Sequence, residues 1–306
     1  MNSRIAAAAT LMAVLSCGAA FAEPLTVPFD FSRNAIGLDV VVKGAPLYMI
    51  LDTGVDPSAI DLARAEALGL KIDRGDAGEA SGAGDAKQAQ VFPATIENLA
   101  VGGRSFAPVD ALAMDMRTLS ASYGRKLDGV LGYSFLTDKI VLIDYGHRTL
   151  GILDRPADAT PAVRQCRKRW NVALRGFTDD NIPLIPDFRL GTATAPISLD
   201  TGSNGGIALY QGALDLPGVR AALTEKGETS FTGARGKGKS KVYVLGVPVG
   251  FGPFTLPAGQ TVSLYADKGS ADTRLANVGN KLFAAMKLKM LLDYRARLMT
   301  FYGDCR

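Results

Sequence analysis

Two aspartates stand in matching surroundings nearly half the chain apart. The first lies in Leu51-Asp52-Thr53-Gly54 and the second in Leu199-Asp200-Thr201-Gly202. Each follows an apolar, strand-like run and precedes a glycine, which puts a carboxylate at the end of a buried strand twice over. A single Asp-Thr-Gly triplet describes nothing more than an Asx turn after a strand. Two of them, brought face to face, give a pair of acids that cannot both ionise cheaply and so share one proton. Such a pair can draw a proton from water while hydrogen-bonding a carbonyl, which is hydrolytic chemistry.

The elements that must position these acids repeat. Before Asp52 the chain reads as two apolar strands around a Lys43-Gly44 turn, Ala35–Val42 and Ala45–Ile50. Before Asp200, Ile182–Leu190 and Ala195–Ser198 follow the same plan around a turn containing Gly191. After each acid comes a Gly-rich stretch and then a related block, Leu127-Asp128-Gly129-Val130-Leu131-Gly132 in the first half and Leu275-Ala276-Asn277-Val278-Gly279 in the second. The spacing from Asp52 to Gly132 differs from that of Asp200 to Gly279 by one residue, and so do the spacings to the later Asp144 and Asp293. Duplication of one β-rich unit accounts for the matched distances.

These residues resemble the retropepsin-like aspartic peptidases, including their bacterial periplasmic members. The resemblance rests, in each half, on the apolar strand into Asp-Thr-Gly, a Gly-rich hairpin and a late block ending in glycine. Asp52–Ile60 is similar to the retroviral form of the acid loop and Asp200–Asn204 to the pepsin form. It implies an all-β fold with a few short helices: a bilobal acid-protease architecture of two β-barrel lobes related by a pseudo-twofold axis, with the active-site cleft between them. It implies catalytic roles for Asp52 and Asp200. Thr53 and Thr201 would each reach across to the other loop's backbone, and Gly54 and Gly202 would let the chain turn close to the carboxylates. Ser203 would bond the outer oxygen of Asp200, a service its counterpart Val55 cannot give Asp52. An extended peptide or unfolded protein substrate would lie beneath flaps at Ala80–Asp85, with Ser81 and Gly82, and at Phe231–Gly236, with Thr232 and Gly233. Neither flap has the tyrosine of pepsin. A non-catalytic peptide- or envelope-binding module on the same scaffold is the alternative.

Composition supports this reading and narrows it. The 306 residues are 47% hydrophobic and include 34 glycines and 15 prolines, enough apolar material for two cores and enough punctuation for many turns. Short helices are expected at Ser58–Leu68, Ser134–Lys139, Gly218–Lys226 and Lys281–Lys287. Residues 1–22 read as a secretory signal, with Arg4, an apolar Ala-rich run too short to span a bilayer, and an Ala20-Phe21-Ala22 cleavage site. The protein is therefore expected to be secreted or periplasmic, with lipid attachment at Cys17 as the alternative. A linker near Asp154–Pro161 separates lobes at 23–155 and 162–306, both in one chain, which points to a monomer. Cys166 and Cys305 form an even pair in an oxidising compartment, either a disulfide or two buried thiols.

The net charge of +4 is scattered. The runs Arg164–Arg169 and Arg235–Lys241 lack the interleaved aromatics of a nucleic-acid surface, so no nucleic-acid partner is expected. No cofactor and no metal are expected, because the sequence has no His/Cys cluster. The one histidine, His147, sits in a turn, which gives no support to a Ser-His or Cys-His mechanism.

Overall fold

A computed structural model describes residues 24–82, 84, 89–175, 181–265 and 275–306. The expected signal segment and Cys17 lie outside the described residues, as do Ala83 and Asp85 of the first expected flap. The architecture is all-β with a few short helices, as the sequence implies.

Each half builds one large sheet, and the two sheets have the same strand order. In the first, the central run is Gln90–Ile96, Val109–Met114, Ser58–Asp61, Gly129–Leu131, Ala45–Leu51, Gly37–Val42, Leu99–Val101 and Arg104–Ser105. In the second it is Gly236–Leu245, Gln260–Tyr265, Ile207–Leu209, Ala276–Val278, Ala193–Leu199, Leu184–Leu190, Val249–Phe251 and Phe254–Leu256. The acid-bearing strand is the inner one in both. Gly129–Leu131 runs parallel to Ala45–Leu51, and Ala276–Val278 runs parallel to Ala193–Leu199. Burial follows position. Gly37–Val42 alternates buried and exposed residues, whereas Leu47–Leu51 is buried throughout as the strand enters the sheet centre.

A third sheet of six strands joins the halves. Its order is Leu25–Pro28, Thr149–Leu153, Ile140–Asp144, Lys289–Asp293, Leu298–Cys305 and Cys166–Ala173, three strands from each half. The central pair is antiparallel, with Leu142 opposite Leu291. One face packs into the main core through Val141, Ile143, Met290, Leu292, Met299 and Phe301. On this sheet the buried Asp144 and Lys289 make an ion pair at 2.6 Å, and Lys289 Nζ also donates to Ala162 O, tying down the Thr160–Val163 helix. Asp144 Oδ2 also faces His147 Nδ1 at 2.8 Å, so His147 is a satisfied, exposed turn residue.

Short helices form at Leu62–Ala67, Tyr133–Leu136 and Asn280–Ala285; the first lies inside its expected segment, and the other two overlap theirs and begin one residue earlier. Asp61 caps the first by accepting from Arg64 N–H. Two expectations need correction. Ser58–Asp61 is a strand that pairs with both Val109–Met114 and Gly129–Leu131 before the helix begins. Gly218–Lys226 is not a helix: it holds one 3-10 turn, Arg220–Ala222, and from Leu223 it becomes a long hairpin strand paired with Gly236–Leu245. Cross-strand pairing outweighs local helix preference there. A helix at Arg117–Tyr123, closed by Gly124 in the left-handed region, was not anticipated.

Cys166 and Cys305 are disulfide-bonded, at paired positions of the two strands that end the six-stranded sheet. The closed loop spans the second half, so the bond restricts the unfolded chain strongly. The Cys166→Ser/Cys305→Ser variant is expected to lose about 2–4 kcal/mol of stability in denaturant unfolding. An unchanged midpoint would show that the bond contributes nothing to the fold.

Candidate active site

Two strand ends deliver the acids. Asp52 N–H donates to Leu131 O and Asp200 N–H to Val278 O, both at 2.9 Å, so each acid loop leaves its strand under the last residue of the neighbouring strand. Glycine follows that residue in both halves. A Cβ on Gly132 would come within 2.7 Å of Val55 O, and one on Gly279 within 2.8 Å of Ser203 O. The late glycine of each repeat is thus required by the close passage of its own acid loop.

The two loops are locked by their threonines. Thr53 Oγ1 donates to Leu199 O at 2.9 Å and accepts from Thr201 N–H at 3.1 Å. Thr201 Oγ1 donates to Leu51 O at 3.0 Å and accepts from Thr53 N–H at 2.9 Å. Both side chains are buried, so these four bonds satisfy groups that have no access to water.

The lock brings Asp52 and Asp200 together. Gly202 N–H lies 3.1 Å from Asp52 Oδ1 and 3.0 Å from Asp200 Oδ1, one donor shared by two carboxylates. Gly54 N–H donates to Asp52 Oδ1 at 2.6 Å and Ser203 N–H to Asp200 Oδ1 at 2.9 Å. An ideal Cβ on Gly54 would stand 2.8 Å from the Asp200 carboxyl, and one on Gly202 would overlap that of Asp52. Only glycine fits at either place. Burial holds the Asp52 carboxyl well above the ordinary carboxylate range, and the neighbouring charge of Asp200 and a side-chain hydrogen bond to it push it further; the Gly54 and Gly202 N–H groups offset part of this. Two unit charges about 4 Å apart repel by roughly 4 kcal/mol at an effective dielectric near 20, which favours one retained proton.

Ser203 differs from expectation. Its backbone N–H serves Asp200 Oδ1, and its hydroxyl accepts from Gly205 N–H. The outer oxygen, Asp200 Oδ2, instead accepts from Asn277 Nδ2 at 3.2 Å. Asn277 comes from a strand parallel to the acid strand, and its side-chain oxygen is held by the buried Ser198 hydroxyl. Asn280 supports the same loop from beneath: its Nδ2 donates to Thr201 O at 2.6 Å and Ser203 O at 3.0 Å, and its Oδ1 accepts from the buried Tyr145 hydroxyl. None of Ser198, Asn277, Asn280 and Tyr145 was marked from sequence. The available signal was a mismatch between repeats, Asn277 and Asn280 standing where the first half has Val130 and Tyr133.

The expected flap positions fall on two converging turns. Thr232 and Gly233 close the long hairpin, where Gly233 pairs with Gly236 around Ala234-Arg235. Ser81 and Gly82 follow the short pairing of Gly78–Glu79 with Gln90–Val91. A Cβ on Gly82 would touch Ala234, and one on Gly84 would stand 2.5 Å from the Arg235 backbone, so these two glycines lie against the turn of the long hairpin. Phe231 of the long hairpin packs on Tyr265, ring centroids 4.4 Å apart, and Tyr265 packs on Tyr210. Burial raises the Tyr265 phenol, and Tyr210 and the charge of Asp200 raise it further. On the other side, Ala80 and Val55 pack against a cluster containing Tyr48, Met116 and Val130.

Residues 38–135 match the aspartyl protease family. The matched stretch holds Asp52, Thr53, Gly54 and the block through Gly132, which are the first half's share of the geometry above. No curated protein matches the chain at a significant level. Among the described residues no cluster of His, Cys, Asp or Glu could hold a metal ion, and no helix is long and apolar enough to cross a membrane.

Two measurements follow from these contacts. Thr53→Val leaves Thr201 N–H buried without a partner, and a loss of about 1–3 kcal/mol is expected in urea unfolding. No loss would mean that the crossed bonds do not hold the loops. The raised Asp52 carboxyl gives the second. The folded state binds this proton more tightly than the unfolded chain does, so the ionised group costs stability above its raised range. That cost vanishes as pH falls below the ordinary carboxylate value of about 3.9. Asp52→Asn should therefore be more stable than wild type at pH 7, with the advantage shrinking toward pH 4. A difference independent of pH would contradict the shared proton.

Proposed function

We propose that the protein is an aspartic endopeptidase whose carboxylate pair, Asp52 and Asp200, contributes one acid from each of two fused lobes. The observation that carries this reading is the Gly202 N–H shared between the two carboxyl groups. The aspartyl protease match over residues 38–135 supports a hydrolase of this class.

The reaction needs a nucleophilic water and an electrophilic carbonyl. With one proton on the pair, the ionised acid takes a proton from the bound water as its oxygen attacks the scissile carbonyl carbon. The protonated acid hydrogen-bonds the carbonyl oxygen as it gains charge. Collapse of the tetrahedral intermediate breaks the carbon–nitrogen bond, and a proton passes to the leaving amine. The products are a carboxylic acid and an amine, with one water consumed. The backbone N–H groups of Gly54, Gly202 and Ser203 keep the inner oxygens fixed while the outer ones react.

The substrate on this reading is an extended peptide or unfolded protein lying between the acid loops and the hairpins. Main-chain hydrogen bonds to a hairpin bind many sequences, and the Tyr210–Tyr265–Phe231 wall favours apolar side chains beside Asp200. The leader at residues 1–22 would take the protein to the periplasm or beyond, where the Cys166–Cys305 bond persists.

The test is proteolysis by the purified mature protein across pH 3–8, read by mass spectrometry of a diverse peptide mixture. Cleavage is expected near pH 4–6. Asp52→Asn and Asp200→Asn should each remain folded and lose more than about a hundredfold in kcat/KM. Full activity in either variant would rule out the pair, and an inactive wild type would favour a peptide-binding role.

A further inference from the structure

The two carboxyl groups are alike at their inner oxygens and unlike at their outer ones. Each Oδ1 accepts two backbone N–H groups: Gly54 and Gly202 for Asp52, Gly202 and Ser203 for Asp200. Asp200 has a further donor, Asn277 Nδ2 on its Oδ2. Strand register shows why Asp52 has no equivalent donor among the described residues. Ser198 stands opposite Asn277 in the second half, and Ile50 stands opposite Val130 in the first. The positions that hold the amide facing Asp200 and the hydroxyl on that amide's oxygen carry two aliphatic side chains in the first half. Ile50 and Val130 belong to an apolar cluster with Met114, Met116 and Leu127, and Val55 of the acid loop packs against it.

We propose that Asn277, oriented by Ser198, is a positioning residue that makes the pair unequal, so that Asp200 is the carboxylate and Asp52 carries the shared proton. An amide N–H aimed at a carboxyl oxygen favours the charged form, while an apolar surround favours the neutral one. A hydrogen bond to a charged group biases such an equilibrium roughly tenfold to a hundredfold. The Ser198 hydroxyl, which also lies 3.2 Å from Ala276 O, is placed against the amide oxygen. By donating to Asn277 Oδ1 it leaves the NH2 group to face Asp200. The titratable groups that feel the pair are the phenols of Tyr145 and Tyr265, near Asp200, and of Tyr294, near Asp52. Burial pushes all three upward, so they stay neutral through the acid range.

The assignment deepens the hydrolytic reading and rests on it only for the consequences in turnover. Asp200 would take the proton from water and pass one to the leaving nitrogen. Asp52 O–H would hydrogen-bond the scissile carbonyl oxygen and recover its proton when the intermediate collapses. Nothing but water is consumed.

Site-resolved 13C NMR of Asp-labelled protein tests the asymmetry without any turnover, with the two resonances assigned from Asp52→Asn and Asp200→Asn. In wild type near pH 5 the Asp52 Cγ shift should be that of a carboxylic acid and the Asp200 Cγ shift that of a carboxylate. In Ser198→Ala/Asn277→Val, which gives Asp200 the aliphatic surroundings of Asp52 and leaves no orphaned hydroxyl, the Asp200 signal should move toward the acid form. The acid limb of the kcat/KM profile should move up by about one pH unit, a tenfold change in the ionisation equilibrium. A wild-type Asp200 in the acid form, or equal shifts at the two sites, would overturn the proposal even if the variant fails to fold. An Asp200 titration unmoved in a folded variant would remove Asn277 from it. A wild type that shows the predicted shifts but cleaves nothing would instead count against the peptidase reading and leave the asymmetry standing.

Discussion

Everything at the centre of this molecule depends on two buried threonine hydroxyls that cross between the halves. A hydroxyl donates one hydrogen bond and accepts others, and each of these does both, giving to a backbone carbonyl and taking from a backbone N–H of the other half. No apolar side chain of the same shape can do that. The crossed bonds fix the loops in two directions at once, which is what lets a single N–H, that of Gly202, reach both carboxyl groups. The six-stranded sheet sets the halves side by side; the threonines set the distance between the acids. Positioning within a fraction of an ångström needs both scales of support.

A duplicated scaffold gives a symmetric frame, but the chemistry needs inequality, because one acid must hold the proton while the other does not. The frame keeps its symmetry wherever geometry is at stake: strand order, the crossed threonines, and the glycines after each acid and at the end of each late block. It abandons symmetry in the layer behind the carboxyls. There Ser198, Asn277 and Asn280 take the places that Ile50, Val130 and Tyr133 hold in the first half. The second acid loop rests on a polar network reaching Tyr145, the first on an apolar cluster. At the acid pair, the copies differ in the side chains that set electrostatics.

The sequence made the frame legible because its signals are local. Apolar runs into Asp-Thr-Gly, turn glycines and the matched spacings to Gly132 and Gly279 can be read without knowing what lies across the molecule. An even cysteine count and an expected oxidising compartment pointed to a Cys166–Cys305 bond and left two buried thiols open; the structure shows the bond. What escaped was set by distant partners. Leu223–Lys226 is strand and not helix because it pairs with residues of Gly236–Leu245. The outer oxygen of Asp200 is served by Asn277, from a strand far along the chain, although Ser203 is the neighbour in sequence. The contact of Gly82 and Gly84 with Ala234–Gly236 joins opposite halves, and each glycine alone reads only as a loop.

The most direct measurement of the central claim, a carboxylate pair that recognises a tetrahedral carbon, is calorimetric binding of a peptide isostere. It would carry a hydroxyl on a tetrahedral carbon in place of the scissile carbonyl, and its comparison would be the same peptide lacking only that hydroxyl. A proton-sharing pair should bind the hydroxyl form at least about a hundredfold more tightly at pH 5, and Asp200→Asn should erase the difference. Equal affinity for the two peptides in the wild-type protein would contradict the account.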